Sequence, residues 1–273
     1  MVCFRKCRLA EGERGLCLAR RNVDGRVVCD NYGAVTSLAL DPIEKKPLAR
    51  FHPGNFILSL GSFGCNLFCP FCQNHEIAHP EGRVEYRRMA PEEICSLAGE
   101  LKEKGNIGVA FTYNEPLVGW EFVRDTAKLI HEAGMKNVLV TNGTAGLSVL
   151  EALKPYIDAM NIDLKSFTEE YYRDYLKGDL SMVKRFIEGA AAFSHVELTT
   201  LIIPGKNDSM EEIRALSRWI AGLKEGEGKN IPLHISRYFP RYHEELPPTP
   251  VETIYRLRDI AGEVLSYVYT GNC

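Results

Sequence analysis

At 273 residues the chain is long enough for one large α/β barrel or for two ordinary domains, and either buries a sizeable core. Charged residues make up 25% and apolar residues 45%, and the net charge of −3 gives no basis for a nucleic-acid partner or an anionic membrane surface. No apolar run approaches the ~18 residues of a membrane span, and Met1-Val2-Cys3-Phe4-Arg5-Lys6 lacks the apolar core of a signal peptide, so the expected location is the cytoplasm, where thiols stay reduced.

Residues 1–50 form a small segment that holds four of the nine cysteines, Cys3, Cys7, Cys17 and Cys29, while Gly12, Gly15, Gly25 and Gly33 break any long helix. A piece this small buries little apolar surface. Two readings stay open: the thiols of Cys3, Cys7 and Cys17 staple the segment through a second metal, zinc or iron–sulfur, or they are reduced small hydrophobes. A weakly alternating strand over 35–40 ends at Asp41-Pro42.

The second unit, 51–273, alternates short β-rich runs with helical stretches. A strand over 56–60 feeds a loop, Gly64-Cys65-Asn66-Leu67-Phe68-Cys69-Pro70-Phe71-Cys72-Gln73-Asn74, with three thiols in eight residues. A four-iron cluster normally takes four cysteines, so Cys65, Cys69 and Cys72 alone leave one iron open to a small molecule. Zinc wants a closed set of four in paired spacing, and only His75 stands near as a fourth. Nine is an odd count and nothing marks secretion, so disulfides are disfavoured.

A helix follows over 91–104, with Pro91 in its first turn and Gly105 as its stop. Strands are expected over 107–112, 137–141, 159–164, 196–203 and 233–236, with helices over 118–133, 147–153, 168–192, 209–223 and 251–264 and a last strand over 266–270. Six βα units in a row predict a parallel sheet, open or curled into part of a barrel, whose ligands gather beyond the strand C-termini. Those ends carry Thr112-Tyr113-Asn114-Glu115-Pro116, Thr141-Asn142-Gly143, Asp163-Leu164-Lys165, Pro204-Gly205-Lys206-Asn207-Asp208 and His234-Ile235-Ser236-Arg237. The first is a polar turn able to receive an ammonium, and Asp163 and Lys165 alternate on a strand and so share a face.

The cysteine spacing, with Phe71 before the last thiol, is similar to the signature of radical S-adenosylmethionine (SAM) enzymes. Glu11-Gly12-Glu13-Arg14-Gly15-Leu16-Cys17, Asp41-Pro42-Ile43-Glu44-Lys45-Lys46-Pro47-Leu48, Phe111-Thr112-Tyr113-Asn114-Glu115-Pro116, Asn161-Ile162-Asp163-Leu164-Lys165 and Ile203-Pro204-Gly205 extend the likeness over nearly the whole chain. The chain resembles the branch with the pyruvate formate-lyase activating enzymes, and more closely the radical SAM member of the AmmeMemoRadiSam system. That resemblance implies an α/β fold, a partial (β/α)6 TIM-like barrel behind a small cysteine-containing N-terminal segment, with a [4Fe–4S] cluster on Cys65, Cys69 and Cys72. It implies SAM held by its methionine amino group at Thr112, Tyr113, Asn114 and Glu115, with Phe71 and Asn74 near the adenine and Asn142, Asp163, Lys165 and His234 on its other polar parts. Arg237 and Tyr238 are then expected on the substrate side.

In such enzymes the cluster's electron splits SAM into a 5′-deoxyadenosyl radical, which takes hydrogen from a substrate. The implied partners are a flavodoxin or ferredoxin reductant and Memo-like and AMMECR1-like proteins, or a glycyl-radical protein if the chain is an activase of that kind. A non-catalytic iron–sulfur or zinc module is the reading from another class, and it needs neither the 112–116 turn nor the 163–165 pair.

Overall fold

The computed structural model describes residues 2–273. In chain order the strands are β1 Arg20–Val23, β2 Arg26–Cys29, β3 Ala34–Val35, β4 Ser37–Pro42, β5 Phe56–Gly61, β6 Arg87–Arg88, β7 Asn106–Phe111, β8 Lys136–Thr141, β9 Ala159–Asp163, β10 His195–Ile202, β11 Leu233–Arg237 and β12 Val268–Gly271. The helices are α1 His75–Ala78, α2 Pro91–Glu100, α3 Trp120–Glu132, α4 Leu147–Leu153, α5 Leu180–Ala191, α6 Met210–Gly222 and α7 Val251–Gly262.

One eight-stranded sheet runs β12-β11-β10-β9-β8-β7-β5-β4. From β5 to β12 the neighbours are parallel, and β4 closes the row antiparallel to β5. Each strand lies beside the one before it, so the crossovers all step one way and the sheet curls with its helices outside. This is the partial TIM-like barrel of an α/β protein. The sheet begins at Ser37, within the segment that the sequence assigns to the N-terminal unit, because β4 pairs with β5 from Ser37–Gly61 to Pro42–Phe56.

Local rules account for the element ends. Glu93 reaches back to accept from Ala90 N at 2.7 Å where α2 starts, and Gly105, at φ +82°, ends the turn after it. Asp179 accepts from Met182 N at 3.0 Å and Ser209 from Glu212 N at 3.2 Å, capping α5 and α6. Along α3 the buried side chains are Phe122, Val123, Thr126, Ala127 and Ile130, one stripe facing the sheet.

The barrel interior is closed near the N-terminal ends of its strands by the residues after β4. Ile43 and Leu48 pack with Ile57, Ala110, Val138 and Ala159. Asn161 donates Nδ2 to Pro47 O at 2.8 Å, and the Glu197 carboxylate accepts from Ala49 N at 2.9 Å and Arg50 N at 2.8 Å. The Arg50 guanidinium then lies 3.7 Å over the Tyr267 ring, tying this plug to the far edge of the sheet.

Two expectations differ in form. The helix expected over 168–192 is a single wide turn at Tyr171–Tyr175 followed, after a break, by α5. The break docks the cysteine loop: Leu176 O accepts from Phe68 N at 2.9 Å, and a Cβ on Gly178 would lie 2.7 Å from Leu67 Cδ2. The loop-rich N-terminal segment contains the β1–β2 hairpin, turned by Asp24 (φ +51°) and Gly25 (φ +74°), whose backbone N–H groups donate to Glu11. Its strands are half exposed and show no apolar alternation, so only Asp24-Gly25 marked them.

The tightest approach in the sheet is at Gly108, where a Cβ would stand 1.8 Å from Lys136 O on the neighbouring strand. Gly108→Ala is expected to force β7 from β8 and destabilise the fold by about 3 kcal/mol, measured by chemical denaturation.

Candidate functional site

The cysteine loop leaves β5 at the C-terminal edge of the sheet. Gly64 is held at φ +95°, and a Cβ there would meet Cys17 O at 2.4 Å, so only glycine lets the loop turn under the N-terminal segment. Gly64 N donates to Ile77 O at 2.8 Å, Cys72 N to Cys69 O at 3.2 Å, and His243 N to Pro70 O at 2.8 Å. The loop is thus fastened from α1, from the wide turn at Tyr171–Tyr175 and from the segment after β11.

Burial pushes the three thiols up: Cys65 well above the usual thiol range, Cys69 to about 12, and Cys72 upward as well. The Lys165 ammonium works the other way on Cys69 and Cys72. A metal held by these thiols would have to offset that burial and favour their ionised form. Polar donors face the sulfurs. Asn142 Nδ2 lies 3.7 Å from Cys65 Sγ, and the buried Tyr171 hydroxyl, which feels the Cys69 charge, has no partner. Three thiols with amide, hydroxyl and ammonium groups around them fit a thiolate-held iron–sulfur cluster, whose charge such groups stabilise. Among the described residues, no three His, Cys, Asp or Glu side chains converge on a point suited to one metal ion.

The strand ends meet the loop directly. Asn74 donates Nδ2 to Tyr113 O at 2.7 Å, joining the last turn of the cysteine loop to the turn after β7. Tyr113 stands at φ +72°, with its hydroxyl donating to Asp41 Oδ2 at 2.8 Å and its ring 4.8 Å below Lys46 Nζ. Asp41 is buried, yet Lys46 and Tyr113 hold its carboxyl well below the usual range. Asn114 accepts from Ser62 N at 3.0 Å and donates to Gly64 O at 3.1 Å.

Glu115 is used differently from the expectation for it. Its carboxylate is buried and accepts from Leu117 N at 3.0 Å, Thr141 Oγ1 at 2.7 Å and Asn142 N at 2.7 Å. Burial pushes it up to about 7 in spite of those donors. It therefore welds the turn after β7 to the turn after β8, where Asn142 Nδ2 meets Asn66 Oδ1 at 3.0 Å.

Asp163 and Lys165 pair at 2.7 Å, and Tyr172 and Asn207 fix the Lys165 backbone at 3.0 and 2.7 Å. Burial alone would lower the Lys165 ammonium, but Asp163 and Cys69 outweigh it and hold the charge. His234 bonds through Nε2 to Glu197 Oε2 at 2.7 Å and stacks on Tyr269, so one imidazole nitrogen serves the plug. Phe71 is 6% exposed and packs on Tyr175. Tyr238 is 1% exposed with its hydroxyl on Glu244 O, a core position rather than the substrate-facing one expected; Arg237 donates Nε to Thr249 O.

The structure brings together Cys65, Asn142, Asn74, Tyr113, Glu115, Asp163 and Lys165; in the N-terminal segment Cys3 is half-buried, Cys7 exposed and Cys17 buried, and the Cys17 and Cys7 sulfurs lie 3.7 and 3.8 Å from the place a Cβ on Gly15 would take. Sequence reasoning passed over Asp41 and Lys46 as working residues, Asn66, and Glu197. A carboxylate inside the apolar run Val196-Glu197-Leu198 was the available signal for the last of these.

A model of the radical SAM superfamily matches residues 60–220, from the end of β5 to α6. An uncharacterized protein of Methanocaldococcus jannaschii is 40% identical over 275 residues, which span 99% of this chain and 80% of that protein. The pyruvate formate-lyase-activating enzyme of Clostridium pasteurianum is 24% identical over 201 residues, 72% of this chain and 80% of that enzyme. Among solved structures, Streptococcus suis SuiB bound to S-adenosylmethionine superposes with a TM-score of 0.60 at 16% identity, over 77% of this chain and 48% of that one. The superfamily match runs through the cysteine loop and the strand ends that meet it, and this chain belongs to the radical SAM superfamily of enzymes, related to pyruvate formate-lyase-activating enzyme.

Proposed function

We propose that the protein binds SAM against a [4Fe–4S] cluster held by Cys65, Cys69 and Cys72 and abstracts a hydrogen atom from a substrate, leaving a substrate radical and 5′-deoxyadenosine. The observation that carries this is the direct joining of the three-thiol loop to the turn after β7 by Asn74 and Tyr113 O. When bound, the cluster supplies the electron that cleaves the sulfonium.

The chain's own groups do the rest. With the Glu115 carboxylate taken up internally, the 112–115 turn meets the SAM ammonium with backbone carbonyls, and Asn74 orients one of them. Asp163, its side chain 31% exposed, faces the ribose hydroxyls, while Lys165 keeps a positive charge beside the thiolates. The segment after β11, seated on Pro70 by His243 N and on Tyr175 by Glu244, keeps water from the mouth.

Anaerobic protein given iron, sulfide, dithionite and SAM is expected to form 5′-deoxyadenosine; its absence with a full cluster overturns this reading. A flavodoxin or ferredoxin serves as reductant in the cell. The likeness to the C. pasteurianum activating enzyme favours one second reading, with a glycine Cα–H of a partner protein as the hydrogen donor. In that case electron paramagnetic resonance of the mixed proteins shows a persistent glycyl signal. Memo-like and AMMECR1-like proteins are the other partners to test, by co-purification.

Tyr113→Phe removes the bond that holds the turn to Asp41. A hydrogen bond to a charged group contributes about 1.5 to 3 kcal/mol, so SAM affinity is expected to fall by about tenfold with iron content unchanged, read by equilibrium dialysis without oxygen.

A further inference from the structure

The N-terminal segment reaches the cluster loop with one side chain, Arg5. Gly146 N donates to Val2 O at 2.8 Å and Cys3 bridges to Ala145, which pins the start of the described chain beside the turn after β8. Arg5 then donates Nε to Asn66 O at 3.0 Å, on the residue next to Cys65. Its guanidinium lies 4.9 Å from the ring centroids of both Phe4 and Phe68, the second of these inside the cysteine loop. Two aromatic contacts and a backbone bond leave the fork little freedom.

One donor is left over. Arg5 Nη2 is buried and has no partner, although a buried guanidinium N–H without an acceptor is costly. Burial lowers the Arg5 pKa, and the sulfurs of Cys3, Cys7, Cys65 and Cys17 are near enough that each, when ionised, acts against that. A negative charge, on Cys3 and Cys7 first and on Cys65 next, is therefore what this cation lacks.

We propose that Arg5 is a positioning residue for the cluster, its fixed cation raising the reduction potential by standing against the Cys65 side of the loop. Reduction adds one negative charge to the cluster, and a nearby cation stabilises the more negative state. The fork is held on Asn66 and Phe68, so its charge arrives already placed. On this view the N-terminal segment, outside the matched residues 60–220, tunes the electron acceptor. The inference rests on the proposed [4Fe–4S] cluster.

The test is the midpoint potential of the cluster in the full chain, by redox titration followed with electron paramagnetic resonance. Arg5→Gln is expected to make reduction about tenfold less favourable, a shift of 59 mV to lower potential for one electron. Arg5→Lys keeps the charge and is expected to stay within about threefold of the parent protein. Arg5→Met, which keeps an apolar stem against Phe4 and Phe68, stands in if Arg5→Gln takes up less iron.

An unchanged potential in a fully loaded neutral variant overturns the proposal. So does an equal shift in Arg5→Lys and Arg5→Gln, which would make the effect one of packing. Failure of both neutral variants to load iron also overturns it, since the charge would then serve assembly. A parent protein that holds no cluster at all instead defeats the proposed function, and the two failures are distinct.

Discussion

Cys65→Ala protein, purified and reconstituted without oxygen, is expected to lose stable cluster iron and to form 5′-deoxyadenosine only at the background of the cysteine-free reaction mixture. The physical case is the ligand count. With three thiols the cluster already has one iron open, so removing one of the three leaves two irons without protein donors. Cys65 is also the thiol that Asn142 meets at 3.7 Å, so the substitution breaks the link between cluster and the turn after β8. Iron and sulfide analysis with product chromatography reads both effects. The fold should survive: Cys65 lies in a loop beyond β5, and the thermal midpoint of the cluster-free variant is expected within a few degrees of the cluster-free parent. Retained iron together with full 5′-deoxyadenosine formation would remove Cys65 from the site.

Glu197→Ala is expected to be the most damaging single change to the fold. Glu197 has no exposed surface, and its carboxylate accepts from Ala49 N, Arg50 N, His195 Nε2 at 2.9 Å and His234 Nε2 at 2.7 Å. Truncation leaves these donors without an acceptor and unfastens the plug from β10 and β11, a loss of about 3 to 5 kcal/mol. For a chain of this size that lowers the melting temperature by on the order of 10 °C.

The same group sets an acid limit. Burial would raise its pKa, but the two histidines and the two backbone N–H groups hold it down to about 2, against 4.5 when unfolded. A depressed carboxyl binds fewer protons folded than unfolded. Its contribution, about 3 kcal/mol, is therefore present above pH 4.5 and is lost as pH falls from 4.5 towards 2. Stability of the parent measured across that window should fall more steeply than that of Glu197→Gln. Parallel curves would show that the carboxylate is not ionised in the fold.

Much of the architecture was legible in the chain. Strands 56–61, 136–141 and 195–202 and helices 147–153 and 210–222 fall within a residue or two of expectation, because each carries a strong period and a glycine, proline or capping residue at its end. The interruption at 176–179 was passed over although Gly178 and the cap Asp179 mark it locally; Leu67 and Phe68 seat against it. Strand β4 was legible as a strand but not as the antiparallel edge of the barrel sheet, because register is a property of two segments.

The site divides in the same way. The three thiols lie close together in the chain, so Cys65, Cys69 and Cys72 stand out from the residues alone, while their assignment to a cluster came from the family resemblance. The position of Asp163 and Lys165 on one face follows from strand geometry, and their 2.7 Å pair agrees. Which carboxylate faces outward was decided only by tertiary structure. Glu115 and Asp163 look alike in sequence, yet one is surrounded by three donors and the other is partly open. Arg5 and Asn66 are 61 residues apart and share no pattern that a chain can display. Neighbours along the chain dictate which thiols stand together and in what order the elements come, so both can be read without the fold. The folded sheet alone decided which buried charges meet, because burial and pairing depend on distance through space.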